Sequence, residues 1–125
     1  FSPAFAFLVN AHKITKAADA NAAVTETGAV YFITTDAKVI TLPATAAGLR
    51  FTVMNIAADG TALVEVDFQA VDKSLGGCGV AAGADGKKLS NTKATAKKGD
   101  FITLIADGTD GYRIEAIRGI WATEA

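Results

Sequence analysis

Few side chains in this chain can do chemistry, and their spacing decides what each could do. His12 is the lone histidine, and no cysteine or acidic residue within four positions of it completes a metal-ligand spacing. A serine triad would need Ser2, Ser74 or Ser90 to meet that histidine, and none of the three stands in a G-x-S-x-G elbow. Cys78 sits between Gly77 and Gly79 with no basic residue beside it to stabilise a thiolate, so a small buried residue is expected there and not a nucleophile. Asp107, Thr109 and Asp110 in DGTDG have the oxygen spacing of a calcium loop, but the other ligand positions and the closing Glu are missing. Asp-Gly is also a hairpin signal, and the turn is the expected role. Glu65 and Asp67, two apart, are the wet side of a strand, and Lys97-Lys98-Gly99-Asp100 falls short of a phosphate-binding loop. No constellation satisfies the first steps of an active-site search, so neither catalysis nor a cofactor or metal is expected.

The elements that would position these residues are strands. Lys38–Asn55, KVITLPATAAGLRFTVMN, reads as a strand to Leu42, a corner from Pro43 to Gly48, and a second strand from Leu49 with Leu49, Phe51 and Val53 on one face. Before it, GAVYFITT sets Val30 and Phe32 against Tyr31 and Ile33, as in a strand covered on both sides. After it, Ala62–Phe68 alternates Val64, Val66 and Phe68 inward with Glu65 and Asp67 outward. Gln69–Gly86 is glycine-rich and reads as a long loop or a place where backbones approach closely. Lys87–Lys98 fits an edge strand, Asp100–Ala106 a buried strand, and Tyr112–Ile117 the strand after the DGTDG turn, with a last short segment at Ile120 and Trp121. The sum is an all-β chain of about seven or eight short antiparallel strands, a β-sandwich or jelly-roll-like head over residues 26–125.

Residues 1–25 follow a different pattern. Phe1, Phe5, Phe7, Leu8 and Val9 precede an alanine-rich stretch whose apolar positions would bury too little area to hold a helix on a core. An extended N-terminal arm is expected, with those five residues as its anchors, because such an apolar segment left bare in water invites association. Phe1 opens the numbering, as it would in a processed chain or in a numbering that starts partway along the encoded protein.

Composition narrows the function classes. The 125 residues suit one domain, and hydrophobic residues reach 50% with a mean hydropathy of +0.30, but alanine supplies roughly a fifth of the chain. Thirteen acidic residues against twelve basic ones, with no block of like charge, speak against a nucleic-acid partner. No apolar run approaches the roughly 18 residues of a spanning helix, so no membrane partner is expected.

KVITLPATAAGLRFTVMN, followed by TAKKGDFITLIADGTDGYRI and a terminal GIW, resembles structural proteins of tailed bacteriophages over roughly Gly28–Trp121. Two kinds carry the pattern, trimeric cement (decoration) proteins on capsid shells and β modules of tail fibres and spikes, and the length of this chain is similar to the first. The resemblance implies a non-enzymatic homotrimer on the capsid surface of a virion that clamps adjacent major capsid subunits through its arm. The alternative it implies is a fibre, spike or head-fibre module binding a host surface or another virion protein; the glycine-rich loop Gln69–Gly86, chiefly its Leu75–Gly86 part, would then be the recognition surface.

Overall fold

A computed structural model describes residues 13–125. Eleven strands run through them: β1 (Lys13–Lys16), β2 (Ala20–Asn21), β3 (Val30–Ile33), β4 (Lys38–Thr41), β5 (Arg50–Asn55), β6 (Val64–Asp67), β7 (Lys73–Ser74), β8 (Leu89–Asn91), β9 (Asp100–Ala106), β10 (Gly111–Arg118) and β11 (Trp121–Thr123). Two short 3-10 turns, Val24–Glu26 and Lys93–Thr95, are the helical elements among the described residues. The fold is all-β, built from two mixed sheets with strand orders β1-β3-β5-β9-β10-β7 and β11-β8-β6-β4-β2.

Period-2 alternation sets the faces. Phe51 and Val53 of β5 point to the core while Arg50, Thr52 and Met54 do not, and Val64 and Val66 of β6 are buried while Glu65 and Asp67 are half-buried on the other side. One apolar core draws Tyr31, Phe51, Ile102, Leu104 and Tyr112 from the first sheet and Ile40, Val64, Val66, Leu89 and Trp121 from the second. Phe51 lies between Tyr31 and Tyr112, with ring centroids 6.3 Å and 6.5 Å away.

The strands are not uniformly antiparallel, which corrects the expectation of an antiparallel sandwich or jelly roll. Pairs β1-β3, β3-β5, β2-β4, β4-β6 and β7-β10 are parallel, and β5-β9, β9-β10, β6-β8 and β8-β11 are antiparallel. From β1 to β6 successive strands alternate between the sheets, so the chain winds as a flattened coil and each strand lies beside the one two elements earlier. Parallel neighbours need a crossover connection, and here the strand of the opposite sheet supplies it. Strand count also exceeds the expected seven or eight, because two-residue strands such as β2 and β7 carry too short a pattern to read.

The coil takes in part of the expected arm. β1 pairs with β3, Lys13 beside Val30 and Lys16 beside Ile33, and β2 pairs with β4. Residues 13–25 therefore form the first turn of the two sheets. The anchors Phe1, Phe5, Phe7, Leu8 and Val9 lie outside the described residues, as do Ser2 and His12. A second correction concerns β8: it lies between β6 and β11 inside its sheet, with Leu89 and Asn91 buried, where an edge strand was expected.

Candidate functional site

Among the described residues, polar side chains gather at the corner with the DGTDG turn, at the glycine-rich loop, and in a polar cluster inside the core. At the corner, Tyr112 donates its hydroxyl to the Pro43 carbonyl at 2.8 Å, and buried Asp72 accepts the Thr45 backbone N–H at 2.9 Å. Burial, and after it the charge of Asp72, pushes the Tyr112 phenol above its ordinary range. Thr45 ties the corner to the turn, donating its hydroxyl to Gly111 O at 2.8 Å and accepting from Gly108 N at 3.0 Å. The other buried phenol, Tyr31, is likewise pushed above its ordinary range by burial and by the Glu26 carboxylate to which it donates at 2.8 Å.

Asp107 shows why DGTDG is a turn. Its Oδ1 accepts the backbone N–H groups of Thr109, Asp110 and Gly111 at 2.8, 2.9 and 3.1 Å. These bonds, Thr109 first, hold the carboxyl below the usual carboxylate range. A carboxylate oxygen that accepts three backbone donors acts as a clasp between β9 and β10. Among the described residues no three His, Cys, Asp or Glu side chains group with the geometry of a metal site.

The glycine-rich segment is pinned along β10. Leu75 N donates to Tyr112 O at 2.8 Å, Ile114 N donates to Gly76 O at 3.0 Å, and Gly83 N donates to Ser74 O at 2.9 Å. Gly111 is required here by close approach, since a Cβ on it would collide with the Lys73 backbone. The close-approach expectation for this segment thus describes its geometry. The expectation for Cys78 does not: Cys78 is exposed, in a positive-φ conformation (51°), with Sγ 3.8 Å from Ile114 O. Flanking glycines signal a tight turn, and a tight turn on a sheet edge points its side chain outward.

Glu65 and Asp67 stand on the outer side of β6, and Glu65 accepts the Ser90 hydroxyl at 2.9 Å. The Lys97-Lys98 turn is occupied by acids: Lys98 N donates to Asp59 Oδ1 at 2.8 Å, and Lys97 N donates to Asp100 Oδ2 at 2.9 Å. Ser74 is fully buried and, like Ser90, lies among structural partners, with its hydroxyl accepting Gly76 N at 3.2 Å. None of the described candidates comes together with another in a nucleophile, base and oxyanion arrangement.

The sequence reading missed the core polar cluster. Asn91, fully buried, accepts from Asn55 Nδ2 at 3.0 Å and donates through Nδ2 to Asp100 Oδ2 at 3.2 Å and Ile120 O at 3.1 Å. Asn55 also donates to Ala62 O at 3.1 Å. The signal was available, since Asn55 follows Phe51 and Val53 at the inward positions of one strand and Asn91 follows Leu89 in the same way. Its chemistry is structural: every buried side-chain polar atom among the described residues has a partner. Comparison with protein-family models, with curated proteins and with solved structures finds no match to this chain.

Proposed function

We propose that the protein is a structural virion protein that decorates a phage capsid as a homotrimer and clamps adjacent major capsid subunits. The observation that carries this reading is a contrast. Asp107, Tyr112, Tyr31 and Ser74 are committed to hydrogen bonds that close turns and tie strands, while the sequence of Phe1–Val9 carries three phenylalanines and no charged side chain. A rigid body plus an apolar anchor suits a protein that works by occupying a surface. Repeated by symmetry, modest contacts per copy add to a firm grip on a shell. The family resemblance over Gly28–Trp121 supports the same reading.

We read the two sheets as the layers of a sandwich-like head. The parallel pairs of the winding depart from a jelly roll, whose strands are antiparallel. The test is decoration of purified shells, followed by co-sedimentation and electron microscopy. Deleting residues 1–9 should abolish decoration while circular dichroism stays that of a folded β protein, and undiminished decoration by the truncated chain would refute the role of the arm. A second reading, a fibre or spike module, is favoured by the coil from β1 to β6, because a winding of parallel strands can be extended turn by turn. Selective binding to a glycan array or to host cells through Leu75–Gly86 would favour it over the capsid reading.

A further inference from the structure

An Asp-Gly link is open to a reaction of the chain with itself, because glycine puts no side chain in the way of its backbone nitrogen as that atom approaches the neighbouring carboxyl. This chain has four such links: Ala-Asp-Gly at 58–60, at 84–86 and at 106–108, and Thr-Asp-Gly at 109–111. Two of them form the same turn. Residues 58–61 and 84–87 are each closed by a backbone bond of 3.2 Å, from Thr61 N to Ala58 O and from Lys87 N to Ala84 O, with Gly60 at φ 69° and Gly86 at φ 70°. Exposure does not separate the two either, since the side chains of Asp59 and Asp85 are 61% and 58% exposed.

The glycine nitrogens are alike in being bonded. Gly60 N donates to Ala96 O and Gly86 N to Asp72 O, both at 2.8 Å, and Gly108 N donates to Thr45 Oγ1 at 3.0 Å. The carboxylates differ. Asp59 Oδ1 accepts the Lys98 backbone N–H at 2.8 Å, and Asp107 Oδ1 accepts its three backbone donors. Asp85 faces the Lys73 ammonium at 3.8 Å and accepts no hydrogen bond from the described residues. An exposed ion pair at that distance restrains little. Asp110 is held through its backbone: Lys73 N donates to Asp110 O at 3.2 Å, and buried Gly111 donates its N–H to Asp107 Oδ1 at 3.1 Å, so the link is bound at both ends.

We propose that the link between Asp85 and Gly86 is the site at which the folded chain converts aspartate to isoaspartate. Gly86 N bonds to Asp85 Cγ and loses its proton, and one carboxyl oxygen leaves as water, which closes a cyclic imide. Water then adds at one of the two imide carbonyls. Addition at the main-chain carbonyl breaks its bond to Gly86 N, so the chain afterwards runs through the former side chain and carries one more backbone methylene, with the freed carboxylate beside it. One water leaves and one returns, and nothing is oxidised or reduced.

Closure at Asp85 gives up one hydrogen bond, from Gly86 N to Asp72 O. At Asp59 and Asp107 the carboxylate must leave its backbone donors as well, and at Asp110 the link must come away at both ends. A bond to a carboxylate that is lost before the reaction slows it by at least about tenfold. The product also has a local effect. Asp72, whose backbone carbonyl holds Gly86, accepts the Thr45 N–H through its side chain, so an added methylene at 85 disturbs a support of the Pro43–Gly48 corner. The reaction needs neither a shell nor a trimer and stands apart from the capsid reading.

The experiment keeps the folded full chain at neutral pH and body temperature for several weeks, digests it at mildly acid pH, and locates isoaspartate by electron-transfer mass spectrometry. Circular dichroism at each time point confines the comparison to folded chain. A tryptic digest aged in parallel gives the reactivity of the four links without the fold. The digest is expected to form isoaspartate at all four, and the folded chain chiefly at Asp85, at least about tenfold above each of the other three. Asp85→Glu, whose longer side chain closes such a ring far more slowly, should lose the signal with the fold unchanged. Isoaspartate at Asp59, Asp107 or Asp110 that keeps pace with Asp85 in the folded chain would overturn the proposal. So would an Asp85 that stays intact in the folded chain while the digest converts.

Discussion

Replacing Asn91 by alanine removes the centre of the buried polar cluster, and its cost can be worked from the bonds lost. Asn91 accepts one hydrogen bond from Asn55 and donates two, to the Asp100 carboxylate and to Ile120 O. A net contribution of about 1 kcal/mol for each neutral bond and about 1.5–3 kcal/mol for the one to a carboxylate sums to roughly 3.5–5 kcal/mol. Surviving partners reduce this, because Asn55 keeps Ala62 O and Asp100 keeps the Lys97 N–H. Asn91→Ala is therefore expected to lose about 3–4 kcal/mol, a large part of the roughly 5–15 kcal/mol that stabilises a domain. Denaturant unfolding followed by tryptophan fluorescence suits the measurement, since buried Trp121 is the lone tryptophan and pairs in register with Asn91. The midpoint should fall with the slope unchanged. Thr92→Ala, one residue along and exposed, should stay within about 0.5 kcal/mol. A double-mutant cycle with Asn55→Ala should return a coupling of at least about 0.5 kcal/mol. A loss below about 1 kcal/mol for Asn91→Ala would refute the cluster as a determinant of this core.

Two further outcomes concern titration. Both tyrosines of the chain are buried, with phenols held above their ordinary range, so the folded protein should develop no phenolate absorbance near pH 10. Because the folded state keeps protons that the unfolded state releases, stability should fall as pH rises past about 10, and a phenolate step there with the fold intact would contradict the burial. Asp107 has the opposite sign: its depressed folded value means that its contribution is complete above about pH 4 and is lost as pH falls through the folded value. Asp107→Asn keeps an acceptor for the three N–H groups but cannot titrate, so its acid unfolding curve should be shallower than that of the wild type, with the remaining slope shared with Asp36. Superimposable acid limbs would exclude Asp107 as a source of acid lability.

Much of the strand content was readable because hydrophobic alternation is local. The pattern Leu49, Phe51, Val53 placed the inward face of β5, Val64 and Val66 that of β6, and Asp100–Ala106 marked β9 to the residue. Lys13–Lys16 was not readable as a strand, since Ile14 is its single apolar residue and its ladder is supplied by β3. Asn55 and Asn91 were discounted because polarity at an inward position looks like the end of a strand until its partner on a distant strand is known. The exposure of Cys78 depends on a turn whose shape is set by the bonds between Gly76, Leu75 and β10, which lie more than thirty residues apart in sequence.

Strand direction was the least readable feature, and the reason bears on how such a chain uses its surfaces. An inward-outward pattern is identical for parallel and antiparallel strands, so it leaves the choice to the connections. Here the crossovers are strands of the opposite sheet, and the parallel register offsets, 17 from Lys13 to Val30 and 22 from Val30 to Thr52, are too unequal to read as a repeat. The winding has a consequence for β1 and β2. As the first turn of the coil they each have a partner on one side, so among the described residues both stand at the edges of their sheets, where a strand's free backbone groups invite pairing unless they are covered.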